Sequence, residues 1–200
     1  AGISTNLDAV VLIGQESDNP HDPNGRPDPR FSTAEMVAHE YTHTIQDWNS
    51  YNPNIDSPQK FLYGNLPQWL LEGNAEWSAS AAVMSNSYSD YQNMRMENLN
   101  PLYRNAKLYT QKWIYTFLNP NPIFTINQDN WGYWQSYSNA DSPIYNVGFL
   151  VNEILASLEG PTSIMNLYSD VAAGMTFADA FQKEFGISWA DADTYISQAI

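Results

Sequence analysis

Apolar residues in this chain fall mostly at helical spacing. The exception lies near the start. "LDAVVLIG" (7–14) is a short β-branched run ending in Gly and predicts a strand. Residues 15–31 hold four prolines and predict a loop. Ser32 and Glu35 have capping-box spacing. Beyond them Ala34, Ala38, Tyr41, Ile45 and Trp48 recur as the apolar stripe of a helix. Residues 49–65 are polar and broken by proline. Pro67 suits the first turn of a second helix, "QWLLEGNAEWSASAAVM", that ends near residue 84. Residues 85–100 read as loop, 102–118 as helix, and 119–144 as irregular chain. "NVGFLVNEILASL" predicts a helix stopped by Gly160-Pro161. Helices over 162–173, with Gly174 just past its end, over 177–185, and after Ser188 complete the pattern. The expected architecture is a single mostly helical α+β domain over 1–200, with a small N-terminal sheet.

Composition narrows the function classes. The 200 residues suffice for one sizeable core, and 7 Trp, 13 Tyr and 8 Phe supply bulk for it. There are 22 acids against 8 bases, a formal net charge of −14. Such a surface repels phosphate backbones and anionic membranes, so nucleic acid is not an expected partner. No stretch is long and apolar enough to span a bilayer. Cysteine is absent, which excludes disulfides and thiolate metal sites. Few lysines and many Asn, Ser and Tyr suit a secreted protein of bacterial type. "AGISTNLDAV" has neither a basic start nor a long apolar run, so a leader is missing or already removed.

The chemistry concentrates in "VAHEYTHTIQ". His39 and His43 are four apart, one above the other on one helix face, where two imidazoles can bind one cation. Glu40 lies about a quarter-turn round, placed to reach a water beside the metal. Catalytic zinc takes three protein ligands and keeps one position open. With no cysteine, a carboxylate is the natural third ligand. "WLLEGNAEW" offers two, Glu72 and Glu76, flanked by apolar residues that make burial costly unless a cation neutralises them. Gly73 between them predicts close approach to the HExxH helix. The plain alternative is a helix carrying solvated His and Glu.

"AHEYTHTIQ", "LPQWLLEGNAEW" and the run from Ile144 to Ser188 resemble the gluzincin (HExxH…E) zinc metallopeptidases, most closely the peptidase MA-like family. The likeness covers about residues 32–84 and 140–190. It implies a zincin-like catalytic domain, of thermolysin or aminopeptidase type, that hydrolyses peptide or protein substrates with one catalytic Zn²⁺. It implies His39, His43 and Glu72 as metal ligands and Glu40 as general base. It gives Glu76 the role of holding a metal histidine from behind. It makes Tyr145, with Gly148 three residues on, the donor that stabilises the oxyanion. Relatives carry several strands ahead of HExxH, whereas this chain offers only 7–14. The sheet is therefore either trimmed or completed by sequence upstream.

Other signals are weaker. Any one of thirteen tyrosines is more often a packing residue than a catalyst, and that alternative stands for Tyr145. His21 suits an oxyanion donor or a surface loop. Trp131, Tyr133, Trp134 and Tyr137 suit a cleft wall or core packing. Asp22, Asn24 and Asp28 have oxygen-ligand spacing for Ca²⁺, but a plain Asx-Pro turn explains them as well. An endopeptidase is favoured, since no anchor for a free amine is visible. Two rivals remain: a zinc protease directed at glycoprotein or mucin, since "HEYTHTIQ" also has the HExxHxxQ look of some such enzymes, and a catalytically silent zinc-binding module.

Overall fold

The computed structural model describes residues 33–56, 62, 64–104, 109–119 and 143–200. Its helices in chain order are α1 Thr33–Asn49, α2 Gln68–Val83, α3 Tyr88–Arg104, α4 Gln111–Leu118, α5 Pro143–Glu159, α6 Pro161–Ala172, α7 Phe177–Phe185 and α8 Trp189–Ala199. No strand occurs among the described residues. This corrects the expected α+β, zincin-like architecture with a small N-terminal sheet: what is described is all-helical. The sheet expectation rested on one apolar run, and a strand needs a partner for its backbone groups. No other stretch carries a strand pattern. The run itself, 7–14, lies outside the described residues.

The helix α2 is central. It is apolar around most of its circumference, so it is enclosed rather than laid on a surface. Residues Gln68 to Ala75 are all buried. It packs against α5 on one side and α1 on the other. The α2–α5 crossing is made by two glycines. A Cβ on Gly73 would overlap the backbone of Gly148, and one on Gly148 would overlap the carbonyl of Trp69 and come within 2.8 Å of the Gly73 Cα. Close approach at Gly73 was expected toward α1, and the structure corrects this: the partner is α5. Asn152, one turn after Gly148, donates to the Gly148 carbonyl at 2.8 Å.

Large aromatic side chains from α2, α7 and α8 pack together. Trp69 stacks on Trp189 with ring centroids 5.2 Å apart, and Phe177 and Phe181 meet Trp189 edge-on. A polar brace ties α2, α3 and α5. Trp77 donates to the Tyr91 hydroxyl at 3.1 Å, Tyr91 donates to Glu153 at 2.8 Å, and Arg95 donates to Glu153 at 2.6 Å.

Local signals set most C-terminal boundaries. Thr176 and Ser188 cap α7 and α8 through their hydroxyls. Gly174, at φ 106°, closes α6 in a Schellman turn: its N–H reaches the Val171 carbonyl, and Met175 N–H reaches Asp170. Two expectations along the chain are corrected. Of residues 85–100 only 85–87 are non-helical; α3 runs from Tyr88 and buries Met94, Asn98 and Leu102 at four-residue spacing. The stripe of α1 is also reversed. Tyr41 is 54% exposed and Trp48 59%, while Glu35, Thr42 and Gln46 face inward. Glu35 accepts a 2.7 Å hydrogen bond from Ser80, and its expected capping partner Ser32 lies outside the described residues.

Two predictions follow from this packing. At an exposed helical glycine, alanine stabilises by about 1 kcal/mol. At Gly148 the sign reverses, and Gly148→Ala is expected to cost about 3 kcal/mol, the upper end of overpacking, read from the denaturant midpoint. The second concerns Asp193, buried on α8, whose carboxyl burial pushes up to about 7. The folded state then keeps a proton that the unfolded chain releases near pH 4. Stability therefore falls as pH rises from about 4 to 7. Thermal melts of Asp193→Asn against pH are expected to lose that decline.

Candidate metal centre

The two histidines lie on the inward border of α1, one turn apart, as their four-residue spacing requires. Glu72 enters from α2, buried between its apolar neighbours. The three side chains converge on one point. His39 Nε2 and His43 Nε2 are 3.2 Å apart, and Glu72 Oε2 is 3.4 Å from each. This group could hold a metal ion, and it contains no further His, Cys, Asp or Glu among the described residues.

The outer nitrogens of both rings are engaged. His39 Nδ1 lies 3.2 Å from Glu76 Oε2. His43 Nδ1 lies 2.9 Å from Gln46 Oε1. Carboxylate and amide oxygens can only accept here, so each Nδ1 carries the proton. Each Nε2 of a neutral ring then presents a bare lone pair to the other and to the Glu72 carboxylate. Three electron pairs facing one another in a buried place repel. A cation among them removes the conflict.

Electrostatics reports the same pull. Burial alone would lower the pKa of His39, but hydrogen bonds and charge from Glu72 and Glu76 raise it to about 10. His43 is raised against the same burial penalty, chiefly by Glu72. Burial would raise the Glu72 carboxyl, yet the two histidines hold it far below the usual carboxylate range. The group attracts positive charge from whatever source offers it.

Glu40 is exposed on the flank of α1. Tyr145 stands in the first turn of α5, its ring 6.1 Å from that of His39. Burial and then the charges of Glu72, Glu76 and Glu40 push its hydroxyl well above the ordinary tyrosine range, so it stays protonated as a donor. The structure thus brings together His39, His43, Glu72, Glu76 and Tyr145, with Glu40 at the border. His21, the calcium candidates Asp22, Asn24 and Asp28, and the aromatic stretch 131–137 lie outside the described residues. No described helix is long and apolar enough to cross a membrane.

Gln46 was not among the expected site residues, though its place three residues beyond His43 puts it on the same face. It is fully buried, and its amide also donates to the Leu71 carbonyl at 2.9 Å and to Asn74 Oδ1 at 3.1 Å. No protein-family model, no curated protein and no solved structure matches the chain.

Removing one corner of the triangle is expected to empty it. Elemental analysis after dialysis should find about one bound transition-metal ion per chain in the wild type, and little in Glu72→Ala. A wild type purified without metal, and unable to take it up, would leave the group a plain polar cluster.

Proposed function

We propose that the protein is a zinc-dependent metallopeptidase of the gluzincin kind, acting as an endopeptidase on protein substrates. One observation carries the proposal: three ligand atoms form a triangle with sides of 3.2, 3.4 and 3.4 Å. Ligands placed tetrahedrally at zinc's bond length of about 2.0–2.1 Å stand about 3.3–3.4 Å from one another. The donor set of two imidazoles and one carboxylate suits zinc, and is wrong for calcium, which takes oxygen throughout. Three protein ligands leave a fourth position for substrate or water, the pattern of catalytic rather than structural zinc.

Zinc bound there supplies Lewis acidity, which acidifies water and polarises a peptide carbonyl. The chain's own residues do the rest. Glu40, exposed beside the triangle, takes the proton of the attacking water and returns it to the leaving amine. Tyr145, kept protonated by its surroundings, donates to the oxygen that becomes negative. Glu76 orients the His39 ring and raises its basicity. An exposed Glu40 next to His39 and a Tyr145 ring 6.1 Å from that of His39 favour turnover over a silent zinc module. A secreted setting suits the acidic, cysteine-free composition.

The test is casein cleavage with and without chelator, for wild type and Glu40→Gln. Wild-type activity should be lost on chelation and restored by Zn²⁺. Glu40→Gln should lose about 10²–10⁴-fold in rate while keeping its zinc. Full turnover by a zinc-loaded Glu40→Gln protein removes Glu40 from the base role.

A further inference from the structure

Gln46 is chemically distinct from the other group behind the histidines. His39 is backed by a carboxylate, Glu76, at 3.2 Å, while His43 is backed by a neutral amide at 2.9 Å. The orientation of that amide is fixed by its surroundings. The Leu71 carbonyl, 2.9 Å away, can only accept, so the Gln46 atom facing it is the nitrogen. The other end, facing His43 Nδ1, is then the oxygen. An oxygen there requires a proton on Nδ1, which leaves the Nε2 lone pair pointing into the triangle. Tyr168 closes the arrangement from α6. Its buried hydroxyl lies 3.2 Å from the Leu70 carbonyl and 3.5 Å from the Gln46 nitrogen.

We propose that Gln46 is a positioning residue: it locks His43 in the Nδ1–H tautomer and aims Nε2 at the metal. This rests on the metallopeptidase reading above. The contrast between the two backing groups has a purpose in charge. A dication with Glu72 and Glu76 sums to zero, and a neutral acceptor at residue 46 keeps it there. A second carboxylate would leave a buried net negative charge, which is unfavourable in low dielectric.

Gln46→Met keeps the side-chain length and removes the acceptor. Zn²⁺ affinity, measured by competition with a chelating dye, should fall about 10–100-fold while the metal-free protein keeps its helical circular dichroism. Asn74→Leu is the control. It breaks the Gln46 amide's contact on the far side from His43, so it should lower the melting temperature yet leave zinc affinity close to wild type. A third readout needs no zinc and no variant. In metal-free wild type, nitrogen-15 NMR should show a His43 Nδ1–H proton that exchanges slowly with water.

A folded Gln46→Met protein that binds Zn²⁺ like wild type overturns the proposal. So does an Asn74→Leu protein weakened as much as Gln46→Met, since general loosening then explains both. So does a His43 without a protected Nδ1–H, even where the variants fail to fold. A wild type that shows the protected proton but takes up no Zn²⁺ defeats the metallopeptidase reading and leaves the tautomer assignment standing.

Discussion

The contact between the Gly73 and Gly148 backbones governs how the rest of the molecule is arranged. It sets how near α5 comes to α2, and both helices carry parts of the site. Glu72 immediately precedes Gly73. Tyr145 stands one turn before Gly148, so it rides on the same stretch of α5. A side chain at either glycine would move α5 outward and take Tyr145 from His39. The crossing also explains why the most enclosed helix of the bundle tolerates a residue that weakens helices. What glycine loses in propensity is offset by backbone packing no other residue allows.

Within that frame the site is built on convergence of like with like. Two lone pairs and a carboxylate oxygen meet in a buried place, which costs free energy unless positive charge enters. The surrounding groups do not relieve this conflict. Glu76 and Gln46 accept from the outer ring nitrogens and so turn the inner ones toward Glu72, where a proton or a metal ion supplies the positive charge. The general base assigned here sits apart from this. Glu40 lies at the exposed margin of α1, in contact with solvent.

Spacing made much of this legible in the sequence, and spacing also marks where legibility stopped. His39 and His43 could be paired from the helical period alone. Glu72 stood out because acids embedded in Trp and Leu are expensive. Helices α6 to α8 were legible from Gly160-Pro161, Gly174 and Ser188, each a local signal. Periodicity does not say which side of a helix faces inward, however. Tyr41, Ile45 and Trp48 form a regular stripe whether it is buried or exposed, and here the polar face with Glu35, Thr42 and Gln46 is the inner one. That inversion hid the role of Gln46 behind His43, although the HExxHxxQ spacing itself is plain in the sequence. Helix α3 was hidden for another reason: its Asn-rich sequence shows a weak apolar pattern, and Asn98, buried in line with Met94 and Leu102, is polar. The partner of Gly73 depends on tertiary topology, which no local pattern contains.

The ligand triangle joins α1 to α2 across the segment between residues 49 and 68. A cation held there is therefore also a cross-link, present only in the folded chain. Folding and metal supply become one equilibrium: each tenfold rise of free ion above its dissociation constant adds about 1.4 kcal/mol to the folded state. Having no disulfide to staple it, the chain would draw part of its durability from the ion content of its surroundings. Its lifetime in the presence of proteases would then report how much metal is at hand.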